Sequence, residues 1–173
     1  MDRKHLVLIG LMGAGKTTVG RACAARLGRP FVDTDDLVAA LAGMPFEELW
    51  ASQGEPGFRA FERQAVKDAC ASPEPLVIAC GGGAATDLEN RRRLRDSGTV
   101  VWLRAPVAVL SARVGDGSTR PLLHGDPQGA LARLDVMRAP AYEASADVAV
   151  ETGTRSVAEV ADAVLAACRE AVS

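Results

Sequence analysis

Gly10-Leu-Met-Gly-Ala-Gly-Lys16-Thr17 has the spacing G-x-x-x-x-G-K-T. These residue types suit one task. Glycines let backbone amides approach an anion with no Cβ in the way, the lysine supplies a mobile cation, and the hydroxyl after it can take a divalent metal. Where such a loop opens a helix, the positive end of the helix dipole adds to the attraction. The stretch Gly13, Ala14, Gly15, Lys16, Thr17, Thr18 is therefore expected to hold a nucleoside triphosphate, with Lys16 on the β- and γ-phosphates and Thr17 on Mg²⁺. The guanine-selecting Asn-Lys-x-Asp motif cannot occur, because Asn90 is the only asparagine and Arg91 follows it. A chain of this size, with a long loop described below, favours phosphoryl transfer to a small molecule, in which positioning and charge neutralisation do most of the catalytic work.

Four further clusters could serve such a reaction. Asp33-Thr34-Asp35 closes an apolar run. The strand is expected to end in these residues, and alternation then puts both carboxylates on one side, where one could orient Mg²⁺ through water and the other accept a hydrogen bond from an attacking hydroxyl. Helix capping is the competing role for these residues. Arg59 and Glu62 are three apart in a helical pattern, so they share a face. They form either a surface ion pair worth about 0.3–0.5 kcal/mol or an arginine fork held ready for a carboxylate or phosphate. Cys80-Gly81-Gly82-Gly83 ends another apolar run, where bare backbone could admit a ligand or simply turn. Arg138 closes a helical pattern before Ala139-Pro140, a place where arginine often only caps carbonyls.

The elements that must carry these residues alternate. Short, uniformly apolar runs at Leu6–Leu11, Pro30–Val32, Leu76–Cys80, Val100–Leu103 and Asp147–Val150 read as buried parallel strands. Helical patterns lie between them: Lys16–Leu27 stopped by Gly28, Asp36–Ala42, Phe46–Ser52, Gly57–Ala71, Asp87–Asp96, Val107–Val114, Gly129–Met137 and Val157–Ala171. Alternation of this kind implies an α/β fold with helices on both faces of a parallel sheet. Gly115–Gln128 has no period, three glycines and two prolines around Arg120, and reads as a lid over about 115–128.

Composition narrows the class. At 173 residues, one domain spanning 1–173 is expected. Twenty basic against 22 acidic side chains leave a net charge of −2, and aromatics are only 4%, so neither a basic field nor stacking platforms for nucleic acid are expected. No stretch approaches the roughly 18 consecutive apolar residues of a membrane span, and HLVLIGL breaks into a glycine loop as a first strand does and a signal peptide does not. The four cysteines have neither CxxC nor metal-type spacing with the two histidines and are expected as small buried hydrophobes in a reducing cytoplasm. A monomer is expected, since no long apolar stripe offers a partner surface.

Taken in order, GLMGAGKTTVGR, DTD, GEPGFRAFE, CGGG, RPLL and RAPAY resemble the shikimate kinases across essentially the whole chain. The resemblance implies a three-layer P-loop kinase fold of the nucleoside-monophosphate-kinase type, with a five-stranded parallel sheet in the order 2-3-1-4-5, substrate-binding helices over about 36–71 and a mobile lid. It implies transfer of the ATP γ-phosphate to the 3-hydroxyl of shikimate, with Mg²⁺, on the way to aromatic amino acids. It further implies that Asp35 contacts the attacking hydroxyl, that Arg59, Arg138 and the Gly82 N–H grip the substrate carboxylate, and that Asp33 supports Mg²⁺ through water. Arg120 would swing in with the lid, Arg113 and Arg155 would meet the adenine end, and Trp50, Phe58, Pro121 and Leu122 would wall the substrate. Three positions depart from the family's usual residues: Trp50 stands where phenylalanine is frequent, Ala141 where leucine is, and Cys80 where a hydroxyl residue is.

Overall fold

The computed structural model describes residues 4–118 and 120–172. Thr119, inside the expected lid, lies outside the described residues, as do the chain ends at 1–3 and 173.

The five strands are β1 (His5–Ile9), β2 (Phe31–Asp33), β3 (Val77–Ala79), β4 (Gly98–Arg104) and β5 (Val148–Glu151). They form one parallel sheet in the order β2-β3-β1-β4-β5, as expected. Every residue of β1 is buried, as its unbroken apolar run requires when helices cover both faces. Removing a side chain such as Leu8 or Ile78 from this core would cost about 2–5 kcal/mol.

The helices are α1 (Lys16–Leu27), α2 (Thr34–Ala42), α3 (Phe46–Cys70), α4 (Leu88–Ser97), α5 (Val107–Val114), α6 (Pro127–Ser145) and α7 (Val157–Val172). α1 packs against α7, while α3 packs against α4 and α4 against α6. α1 ends at Gly28, whose left-handed backbone returns its N–H to the Ala24 and Ala25 carbonyls. Because β1 is central and β2 and β4 lie on opposite sides of it, the chain reverses direction across the sheet at β1, which opens a crevice over that strand's carboxyl end.

The two expected patterns Phe46–Ser52 and Gly57–Ala71 are both present within α3, separated at Gly54, whose backbone (φ 67°, ψ −171°) is not helical, just before Pro56. Two elements differ from expectation. α6 does not stop at Met137 but continues through Pro140 to Ser145, which puts Arg138 in mid-helix rather than at a cap. Pro140 is tolerated because it lies on the exposed face, beside the exposed Val136 whose carbonyl it leaves without a helical partner. Finally, α2 starts at Thr34, so Asp35 belongs to a helix and not to the end of β2.

Candidate active site

The loop after β1 is built as its glycines demand. Gly10 (φ 146°) passes so close to β4 that a Cβ would stand 2.5 Å from the Leu103 carbonyl oxygen, and Gly15 (φ 92°) caps α1 in a left-handed conformation. Lys16 Nζ folds back to donate to the Gly10 and Leu11 carbonyls at 2.7 and 2.9 Å. Burial lowers its pKa to about 8, with Asp35 pulling the other way. A triphosphate arriving in the loop would supply the counter-charge that this ammonium lacks.

A cleft of about 590 Å³ opens from this loop along the carboxyl edge of the sheet. Its walls include Gly13, Gly15, Lys16, Thr17, Thr18, Asp33, Asp35, Arg59, Gly82, Arg113, Arg120 and Arg138, residues from seven different segments of the sequence. Ala14 is buried beneath the loop, with its N–H on the Leu11 carbonyl. Trp50, Phe58, Pro121 and Leu122 line the same space. Arg155 is not among the lining residues. It sits exposed in the turn after β5 and donates to the Glu151 carbonyl. Arg113 instead spans the gap there, donating to the Gly13 and Gly153 carbonyls at 3.0 and 2.8 Å.

Asp33 and Asp35 do share the cleft, though not through strand alternation. Asp33 is the N-cap of α2, its Oδ1 accepting from the Asp35 N–H at 2.9 Å, and this local turn sets the two carboxylates side by side. Capping and site roles thus coexist at Asp33. Its other oxygen accepts from the Thr17 hydroxyl at 2.8 Å. Burial, and then Asp33, push the Asp35 carboxyl above the ordinary carboxylate range, against the pull of Lys16 and Arg120.

The opposite wall is cationic. Arg59 Nη1 donates to Glu62 Oε1 at 2.8 Å, and its Nε and Nη2 reach Glu55 Oε1 at 3.4 and 3.2 Å. Glu62 is only 1% exposed, so this is no surface ion pair. Burial, partly offset by Arg59, raises its carboxyl pKa. Arg138 is 6% exposed, and its Nη1 has no hydrogen-bond partner among the described residues. Below it, the Tyr142 hydroxyl donates to the Gly82 carbonyl. Phe46, Trp50 and Phe58 form an aromatic wall, with ring centroids 5.0–5.6 Å apart.

Arg120 lies on the segment between α5 and α6, exposed and facing the cleft. The segment is pinned by Leu123, which is fully buried in a short 3₁₀ turn over Pro121–Leu123, and by Asp126, which caps α6.

Glu55, Phe46 and Tyr142 were not singled out from the sequence. The i, i+4 spacing of Glu55 and Arg59 was a visible signal. The same spacing of Arg138 and Tyr142 was hidden by ending the helix before Pro140.

The shikimate kinase family model matches residues 12–169. The shikimate kinase of Symbiobacterium thermophilum is 49% identical over 159 residues, covering 90% of this chain and 91% of the relative. That of Caulobacter vibrioides is 44% identical over 169 residues, covering 97% and 84%. The solved structure of Acinetobacter baumannii shikimate kinase in complex with shikimate superposes with a TM-score of 0.91 at 36% identity, covering 95% of this chain and 92% of that one.

Proposed function

The chain belongs to the shikimate kinase family, and from that premise we propose how its residues divide the ATP-dependent phosphorylation of shikimate. The observation that carries the reading is Arg138, a buried guanidinium with an unpartnered Nη1 on the wall of the cleft. Leaving such a donor unmade is costly, on the order of 1–3 kcal/mol or more for a charged group, and a carboxylate is its natural complement. Arg59 offers the second guanidinium and Gly82 a backbone N–H, so the acceptor's carboxylate is gripped at this end. Asp35 then receives the attacking hydroxyl, here the 3-hydroxyl of shikimate. Its raised pKa suits an acceptor of that proton.

At the other end the amides of Gly13, Gly15, Lys16, Thr17 and Thr18 hold the β- and γ-phosphates, with Ala14 shaping the loop through its N–H on the Leu11 carbonyl and Lys16 leaving its two carbonyls to reach them. Arg113 and Arg155 serve the adenine end. The segment over about 115–128 acts as a lid that brings Arg120 onto the transferring phosphoryl group and excludes water, which would otherwise compete as acceptor.

The residues present fit Mg²⁺. The Thr17 hydroxyl spends its hydrogen on Asp33, which leaves its lone pairs for a cation, and both groups are hard oxygen donors. Among the described residues no cluster of three or more His, Cys, Asp or Glu could hold a metal on protein groups alone, so the ion would be shared with the phosphates. Held there, Mg²⁺ would supply charge neutralisation to the triphosphate. Thr17 would hold it directly and Asp33 through water.

No helix of the described residues is long and apolar enough to cross a membrane. A cytoplasmic monomer acting on small soluble anions is the proposed working form. The test is ADP release with MgATP, offering shikimate, quinate, an aminated shikimate and gluconate in parallel. Turnover on shikimate well above the blank without acceptor is expected, and turnover confined to another acceptor would overturn the assignment.

A further inference from the structure

Three glycines follow β3, and none of them needs a left-handed backbone, because Gly81, Gly82 and Gly83 all lie outside the set of positive-φ glycines. What they need is space. A Cβ on Gly81 would stand 2.6 Å from Asp35 Oδ1 and 3.0 Å from Glu62 Oε2. On Gly82 it would stand 2.9 Å from Arg138 Nη1, and on Gly83 2.5 Å from both terminal nitrogens of Arg59. Comfortable contacts lie near 3.5–4.0 Å. Asp35, Arg138 and Arg59 therefore each rest on the bare backbone of one glycine.

We propose that Gly81 and Gly83 are positioning residues, Gly83 fixing the Arg59 guanidinium that takes the acceptor's carboxylate and Gly81 fixing the Asp35 carboxylate that takes its hydroxyl. This rests on the assignment of those two groups given above. Gly82 makes the same kind of contact with Arg138, but its N–H also has a binding role there, so its substitution would not separate the two effects.

The contacts are with the ends of flexible side chains, and a methyl group would displace those ends while the backbone stays. Arg59 cannot retreat freely, because Glu55 and Glu62 hold its edges. The shift needed is on the order of 1 Å, a misplacement that can cost on the order of 10²-fold in an oriented site. The two glycines act on different ends of the acceptor, so their kinetic effects separate. Displacing Arg59 weakens a grip made before and during transfer and so raises KM. Displacing Asp35 spoils alignment of the attacking hydroxyl and so lowers kcat.

The experiment compares ADP-release kinetics and thermal unfolding of the full chain with those of Gly83→Ala, Gly81→Ala, Arg59→Ala and the Gly83→Ala/Arg59→Ala pair. Gly83→Ala is expected to raise KM for shikimate about tenfold or more, with kcat and KM for ATP within about threefold. Gly81→Ala is expected to lower kcat about tenfold or more, with KM for ATP within about threefold. With Arg59 already removed, the Gly83 substitution has nothing to displace and should change KM by less than about twofold. An unmoved KM in Gly83→Ala, an undiminished effect in the double variant, or parallel loss of kcat and both KM values in the two glycine variants would overturn the proposal. Should Gly83→Ala fail to fold, rescue by Arg59→Ala supports the seat, and failure of the pair overturns it. A wild-type chain inactive on shikimate would end the functional assignment and this proposal together, whereas an active one with an unmoved Gly83→Ala ends only the proposal.

Discussion

Thr17 donates its hydroxyl hydrogen to Asp33 Oδ2 at 2.8 Å, joining the first turn of α1 to the end of β2. The same carboxylate caps α2 through the Asp35 N–H, so one side chain serves both the helix and the cleft. Asp33→Asn separates the roles. Asparagine caps as well as aspartate through its Oδ1, its Nδ2 can donate to the Thr17 hydroxyl in place of accepting from it, and it lacks the charge that attracts a divalent cation. The half-saturating Mg²⁺ concentration, titrated at saturating substrates, should rise about tenfold or more while the unfolding temperature stays close to wild type. Superposable Mg²⁺ titrations would reduce Asp33 to a cap.

Lys16 and Asp35 set opposite limbs of the pH profile. In the free protein burial brings Lys16 to a pKa of about 8, and a bound triphosphate would raise it again. ATP binding therefore takes up a proton above pH 8, and kcat/KM for ATP should fall by about tenfold per unit there, while kcat at saturating ATP holds. Asp35 must be ionised to accept the hydroxyl proton, and its carboxyl lies above the ordinary range. The acid limb of kcat/KM for shikimate should accordingly begin above 3.8, and Asp35→Ala should abolish transfer while leaving ATP affinity within a few-fold. Collapse of ATP affinity in that variant would place Asp35 at the nucleotide instead.

The parts of this site that the sequence discloses are those where one short segment does the whole job. Gly10–Thr17 builds its own loop, and Arg59 with Glu62 shares a face by helical spacing alone. Strand order followed from the resemblance, because alternation of elements implies a parallel sheet but does not order it. Contacts that need two distant segments were invisible. Nothing in Cys80–Gly83 says that Asp35, Arg138 and Arg59 rest on the three glycines, and nothing near Gly82 says that Tyr142 holds its carbonyl. The end of α6 differs from its pattern because Pro140 breaks local propensity, while packing on either side carries the helix through it. Asp35 was placed in the cleft for the wrong reason, since a cap rather than a pleat aligns it with Asp33.

Arg138 trades stability for binding. Among the described residues its Nη1 has no hydrogen-bond partner, at a cost on the order of 1–3 kcal/mol. Arg138→Met keeps much of the side-chain volume and removes the unpartnered Nη1 donor. Its unfolding temperature in the absence of substrate should rise, and KM for shikimate should increase by a factor worth about 2–5 kcal/mol. An unchanged KM would remove Arg138 from the carboxylate grip, and a lowered unfolding temperature would mean that the cation is satisfied without substrate.

His5 is the buried titrating group most distant in role from the cleft. Its Nδ1 accepts from the Leu76 N–H at 3.0 Å, which leaves Nε2–H to donate to the Cys70 carbonyl at 3.3 Å, so the neutral ring ties β1 to the α3–β3 connection. Burial, then the nearby Lys4 and Arg29, holds its pKa below 6.5, with the Cys70 contact opposing. The unfolded chain therefore takes up the proton first as pH falls. The stabilisation is full above pH 6.5 and is lost as pH drops from there through the lowered folded value, at about 1.4 kcal/mol per unit between the two. His5→Leu leaves the Leu76 N–H and Cys70 carbonyl unpaired, so it should be less stable by about 1–3 kcal/mol at pH 7.5, yet lack this part of the slope. Denaturant midpoints of the two proteins should converge between pH 7 and 5, and parallel curves over that range would show that His5 does not titrate on unfolding.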